Sequence, residues 1–289
     1  MDGEMGRKRP LLEFEILARG LYHPDQLDIS YDPSLHMPTT ATMQEWMDTL
    51  WEQKLALARE NAIPLFDAPL FRFIEAQSKS DGTLRLVLGD TGYKEYVTTR
   101  VPEFARGRKR DELGNALSVC SVVETSNGYI LLDKRQGVDV YVGRYHVIGG
   151  FFERGLDSSN SKQPDPFGAI CREIREETGI QLPDIRAQYC LGVVYDKVTP
   201  HAEMCFLTQL TIPLEEVHNR VPEEDEIKQI ETLFVTKESL RDLLLKNHGN
   251  ISATGEPNLL MYGGVRFGEG WFEEIMRSLS ASYSGEGKD

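Results

Sequence analysis

Cysteine, positive charge and long apolar runs are all scarce in this chain, and each scarcity excludes something. Among 289 residues there are four cysteines, Cys120, Cys171, Cys190 and Cys205. They lie far apart with no C-x-x-C pair, which argues against a zinc site and against a disulfide-built scaffold. Three fall in apolar runs and Cys171 on the apolar side of a helical stretch, so all read as reduced core residues. No run approaches the roughly 18 apolar residues of a membrane span. The opening MDGEMGRKRP has no apolar segment behind it that would make a signal peptide, and Arg7-Lys8-Arg9 is too short for a nuclear signal. The expected address is the cytosol, with no membrane partner. Lys and Arg number 32 against 46 Asp and Glu, a net charge of −14. That balance argues against nucleic acid as a partner, because backbone binding needs a basic patch. A small phosphate-bearing ligand remains compatible, since a bound cation inverts the local field. There is no internal repeat, and no pattern that sets an oligomeric state.

What is present centres on residues 149–180, which begin GGFFERG and end CREIREETGI. Glu173, Glu176 and Glu177 stand at i, i+3 and i+4, so a helix places the three carboxylates on one face. Ile170 and Ile174 fall on the adjacent arc and can bury against a sheet. Asp165-Pro166 supplies an N-cap and a first-turn proline, and Gly179 a C-terminal stop. Carboxylates this close repel one another. A bound dication relieves the repulsion, and hard oxygen ligands suit Mg²⁺ or Mn²⁺.

The Gly150 turn followed by Arg172-Glu173-Ile174-Arg175-Glu176-Glu177-Thr178-Gly179-Ile180 resembles the box of the Nudix hydrolases. Arg172 through Ile180 match it residue by residue. The spacer between Gly150 and Arg172 is longer than the family's by an insert near 157–164. The slot of the first box glutamate holds Leu156 counted forward from the glycine and Pro164 counted back from the arginine. Neither binds metal; Asp157, Asp165 and Glu153 are the neighbouring acids. The Asp/Ser/Asn-rich segment from Asp157 to Gln163 reads as a surface loop.

Along the rest of the chain, residues 11–20 alternate as a strand, and residues 22–40 read as a long loop. Thr42 and Glu45 form a capping box for an amphipathic helix over 43–61. Residues 70–74 and 83–88 read as a hairpin. The polar stretch 102–112 marks a domain boundary. Beyond it, 115–124, 129–135, 189–198, 204–212 and 230–235 read as strands, and Tyr145 to Ile148 leads into the glycines. Helices follow over 236–246 and 271–279. The expectation is an α/β protein: a mixed sheet between helices over 113–280, preceded by a smaller α+β domain over 1–105, with a frayed tail from 281. The resemblance implies the Nudix α/β/α sandwich for the larger part.

The blocks WEQKL (51–55), LFDAPLFRF (65–73), LRLVLGDTGYKEYV (84–97) and LGNA (113–116) are similar to one branch of that family, the UDP-glucose/UDP-galactose pyrophosphatases. The chain departs from the branch at Thr98-Thr99-Arg100, where the branch tends to read Gly-Thr-Asn, and at Ile148, where it tends to have proline. The resemblance implies metal-dependent hydrolysis of a nucleoside diphosphate derivative, with a small-molecule nucleotide as partner. Glu173, Glu176 and Glu177 are the candidate metal ligands, and Arg172 the residue that holds them. Gly149 and Gly150 let the backbone turn tightly. Arg135, Arg144 and Glu203 are the further substrate-side candidates. His146 reads first as a structural histidine, and His201 stands with Glu203 as a candidate for the substrate side. A box glutamate or the acidic run 223–226 could serve as general base. Two alternatives stay open: ADP-ribose, a dinucleotide or coenzyme A as substrate, and a Nudix fold that binds nucleotide without hydrolysing it.

Overall fold

The computed structural model describes residues 12–61, 63–136, 140–158, 163–223 and 229–281. Its first part contains β1 (Phe14–Tyr22), β2 (Leu27–Tyr31), α1 (Ala41–Glu60), β3 (Pro69–Ser78), β4 (Leu84–Gly92), α2 (Tyr93–Thr99) and α3 (Pro102–Ala105). Then follow β5 (Leu117–Glu124), β6 (Tyr129–Lys134), β7 (Tyr145–His146), β8 (Ile148–Phe151), α4 (Pro166–Thr178), β9 (Ile185–Asp196) and β10 (His201–Leu210). The last part holds α5 (Leu214–Val217), β11 (Gln229–Phe234), α6 (Lys237–Lys246), α7 (Gly255–Phe267) and α8 (Glu269–Ala281). Among the described residues no helix is long and apolar enough to cross a membrane.

Two sheets organise these elements. The larger, of eight strands, runs β1-β9-β10-β5-β6-β11, with β7 on β6 and β8 on β5. It is mixed: β10 and β5 are parallel, and the other pairs antiparallel. The smaller, of three strands, runs β2-β4-β3. Every residue of β5 is buried, as befits a central strand covered on both faces. On one face Ile170 and Ile174 of α4 join Val119, Ile148 and Phe206, together with Phe71, Phe73 and Leu86 of the small sheet. On the other face Leu240 and Leu244 of α6, Leu259 and Leu260 of α7, and Ile275 of α8 close over Cys120, Val122 and Leu191. The four cysteines are free, three of them buried and Cys171 half-buried.

Several elements differ from the sequence reading. Strand β1 pairs with β9 in the large sheet, so a division at 105–113 cuts across that sheet. Within the expected loop 22–40 lies β2, which pairs with β4; a five-residue strand carried by one partner leaves little periodicity. Helix α1 is capped by Thr40, whose hydroxyl accepts from the Met43 N–H at 3.3 Å, rather than by Thr42. Helix α7 reads GEPNLLMYGGVRF, a composition that hides a helix. Burial from Gly255 through Gly263 supplies what propensity lacks. The tail 282–289 and residues 159–162 of the insert lie outside the described residues.

The first and second halves are stitched together beside the box glycines. The Phe71 N–H donates to the Phe152 carbonyl at 3.0 Å, the Phe73 N–H to the Asn115 carbonyl at 2.9 Å, and the Arg154 N–H to the Pro69 carbonyl at 2.9 Å. Arg154 also reaches Asp90 at 2.8 Å. Ala68, Leu70, Tyr96 and Ala116 form a small apolar cluster across the same seam.

Candidate active site

Helix α4 forms where its end signals dictate. Asp165 accepts from the Gly168 N–H at 2.9 Å, Pro166 opens the helix, and Gly179 closes it at φ 73°, the left-handed region that glycine adopts without strain. Burying Ile170 and Ile174 fixes the rotation of the helix. That rotation carries Arg172, Glu173, Glu176 and Glu177 to the side of the β8 glycines. Gly150 is required there: a Cβ on it would lie 2.5 Å from both oxygens of Glu173. A Cβ on Gly149 would lie 2.2 Å from the Val119 carbonyl oxygen.

Arg172 is the hub of the cluster. Its Nε and Nη2 donate to the two oxygens of Asp157 at 2.8 Å each, and Nη2 also to the Phe151 carbonyl at 3.1 Å. Its Nη1 donates to Glu173 at 2.8 Å and to Glu176 at 2.9 Å. Asp157, next to Leu156 in sequence, is the acid of this stretch that meets Arg172. The insert makes this possible. Ser158 bridges Pro164 and the Asp165 N–H donates to the Asp157 carbonyl at 2.9 Å, so the chain leaves and returns at one point. The Glu153 N–H donates to the Asp157 carboxylate at 2.8 Å, while Leu156 is 62% exposed.

Negative charge exceeds positive in this cluster. Burial, and then Glu177 and Glu176, push Glu173 up to about 8 against the pull of Arg172. Burial likewise raises Glu153, with Asp157 and Glu176 adding to it and Arg172 opposing. Burial works against the charge of Arg172, but Asp157, Glu173 and Glu176 raise its pKa overall. A set of crowded carboxylate oxygens that Arg172, and Arg175 at 3.7 Å from Glu176, do not neutralise fits a hard divalent cation.

A cavity of about 480 Å³ opens beside the glycines. Gly149, Gly150, Arg135 and Glu203 line it from the large sheet and its loops, and Tyr93, Tyr96 and Arg100 of the first hundred residues line it from the other side. Glu203, 3% exposed, lies between His146 at 3.6 Å and His201 at 3.8 Å. Burial opposes its charge, but the two histidines hold its carboxyl well below the usual range. His201 donates to the Thr199 carbonyl. Burial would lower its pKa; Tyr96, Glu203 and Asp196 outweigh this and push it up to about 10. Arg100 donates to the Tyr96 hydroxyl at 2.9 Å and lies over the Tyr96 ring.

No protein-family profile matches the sequence, and no curated protein does. Solved structures do show likeness. An ADP compounds hydrolase is 14% identical, covering 74% of this chain and 97% of that one at a TM-score of 0.39. A bifunctional NMN adenylyltransferase/ADP ribose pyrophosphatase from Francisella tularensis, solved with AMP and a Mn ion, is 16% identical, covering 56% of this chain and 42% of that one at 0.36. A NUDIX hydrolase from Nitrosomonas europaea is 18% identical, covering 53% and 73% at 0.34. At these identities and TM-scores the likeness assigns no residue role, metal or substrate.

The residues singled out from sequence thus fall into two adjoining groups. Arg172, Glu173, Glu176 and Glu177 cluster around the α4 face, and Gly150 joins them to the cavity holding Arg135 and Glu203. Arg144 is engaged elsewhere: it pairs with Glu13 at 2.5 Å and lies over the Tyr141 ring, and it does not line the cavity. Glu223 of the acidic run pairs with Arg175 at 2.9 Å, and residues 224–226 lie outside the described residues. In the sequence Asp157 is one neighbouring acid among three; the bridge between Ser158 and Pro164 singles it out. Tyr96 carries no sequence signal beyond its place in the block 84–97, and Arg100 stands where the chain departs from the branch pattern.

Proposed function

We propose that the chain hydrolyses the diphosphate bond of a nucleoside diphosphate derivative with Mg²⁺ or Mn²⁺, and that its substrate is a UDP-sugar, cleaved to UMP and sugar 1-phosphate. The observation that carries this reading is the Glu173–Glu176–Glu177 face, held by Arg172 and Asp157 and set against the Gly150 wall of the cavity. Bound there, the metal supplies charge neutralisation on the phosphate oxygens and a more acidic water. Glu173 and Glu177, the i, i+4 pair, are the direct ligands, and Glu176 completes the set. Arg172 positions them and touches no substrate. Arg135 faces the phosphates. Glu153, whose pKa burial raises, is the carboxylate suited to take a proton from the attacking water.

In this reading residues 1–105 complete the site built on residues 113–280. Tyr93, Tyr96 and Arg100 enclose the nucleoside side of the cavity, as a pocket between two halves of a chain commonly does. The UDP-sugar assignment is supported by the block LRLVLGDTGYKEYV, which contains two of those residues. The experiment is a panel of UDP-glucose, ADP-ribose, a dinucleoside diphosphate and coenzyme A with Mg²⁺ or Mn²⁺, read by product mass. Preferential release of UMP supports the full reading. Preference for another member overturns the UDP-sugar and keeps the reaction. Binding without product from any member overturns the reaction and leaves a nucleotide-binding protein.

A further inference from the structure

On the far face of the large sheet from α4, three side chains of different chemistry converge. The Cys120 sulfur, a ring nitrogen of His146 and a carboxylate oxygen of Glu203 all lie within 4.8 Å of one another, and all three residues are buried. We infer that Cys120, His146 and Glu203 form a zinc site at the floor of the cavity, separate from the carboxylate cluster of the box helix.

The sheet builds this trio. Cys120 of β5 stands opposite Cys205 of β10, and Ser118 opposite Glu203. Residues two apart on a strand share a face, so Cys120 and Glu203 are diagonal neighbours on one side. His146 arrives from β7, which pairs with β6. Its Nε2 lies 3.6 Å from a Glu203 oxygen, a spacing two ligands of one ion can share.

Ligand type sets the metal. Thiolate and imidazole favour zinc over magnesium, and one thiolate with one carboxylate neutralises Zn²⁺ inside a buried site. The groups behind the ligands are also in place. His146 has its Nδ1 2.6 Å from the Ser252 hydroxyl, a partner that holds the ring with Nε2 turned toward Glu203. The Asn258 amide donates to the Cys120 sulfur at 3.2 Å, the direction of hydrogen bond a thiolate accepts. His146 and Glu203 line the cavity and Cys120 does not. The fourth coordination position therefore faces the cavity, open to water or to an oxygen of a ligand. On binding, the Cys120 thiol loses its proton to solvent, the His146 ring binds neutral, and no redox step is involved. No spacing signal marks this site, because its ligands come from three strands, β5, β7 and β10.

The site does not rest on the proposed hydrolysis, and its test reads no activity. The full chain, stripped with chelator, is titrated with Co²⁺ as a spectroscopic stand-in for zinc. A thiolate-to-cobalt charge-transfer band should grow to one equivalent and vanish on adding Zn²⁺. Cobalt held by box carboxylates gives no such band, so Glu177→Gln should leave it intact and Cys120→Ser should abolish it. Absence of the band in the wild type, or its survival in Cys120→Ser, overturns the inference. Should Cys120→Ser not fold, X-ray absorption of the zinc-loaded wild type decides. One sulfur neighbour at about 2.3 Å supports the site, and a shell of only nitrogen and oxygen overturns it.

Discussion

Replacing Asp157 by asparagine tests the least expected feature of the box. The aspartate accepts two parallel hydrogen bonds from Arg172 at 2.8 Å and is 4% exposed. Asparagine keeps the shape but offers one acceptor, and it turns an N–H toward the guanidinium. Removing one partner of a buried pair costs about 3–5 kcal/mol when the other charge is left without compensation. Arg172 retains Glu173 and Glu176, so the expected loss is smaller, about 2–3 kcal/mol, a factor of roughly 30–150 in the folding equilibrium. Freed from Asp157, Arg172 should shift toward Glu173 and Glu176 and compete with the metal for them. Urea unfolding should therefore show a lower midpoint at unchanged slope, and the metal concentration for half-maximal turnover should rise. A double-mutant cycle with Arg172→Gln isolates the pair, and its coupling energy should exceed about 1 kcal/mol. Wild-type stability and metal dependence in Asp157→Asn would refute the placement of Asp157.

Glu177→Gln should lower turnover by about 100-fold or more while leaving the unfolding midpoint near wild type, because the amide is a weaker, uncharged ligand; near-normal turnover at saturating Mg²⁺ would sink the ligand assignment. Gly150→Ala should displace Glu173, since its Cβ would meet both carboxylate oxygens at 2.5 Å, and metal affinity measured by titration should fall while circular dichroism stays native. Tyr96→Leu and Arg100→Met should raise KM for the nucleotide more than they lower kcat, as expected of cavity walls rather than reacting groups; an unchanged KM in both speaks against enclosure by the first hundred residues. Linking Ser158 to Gln163 by a shorter polar bridge should change stability by less than about 1 kcal/mol, and failure of that variant to fold would make the insert structural.

A chain beginning near Arg110 is the simplest test of the first hundred residues. The tertiary structure makes it a poor one. Such a chain lacks β1, exposing the edge of β9, and loses the β3 hydrogen bonds to Phe152 and Arg154. Point changes in α2 probe the same question with the sheet intact.

What the sequence alone determined was local. Helix α4, its aspartate cap, its glycine stop and its acidic face follow from signals spaced within one or two turns. Most strands of the large sheet were legible because buried strands leave apolar runs between turn residues. Tertiary structure decided the rest, because the information lies in pairings between residues far apart. The bridge between Ser158 and Pro164 brings Asp157 to Arg172. The strand β1 crosses the chain to pair with β9. Apolar burial holds α7 in a sequence of weak helix formers. The meeting of Cys120, His146 and Glu203 depends on the register of β5 against β10 and on the pairing of β7 with β6, and neither appears in residue spacing.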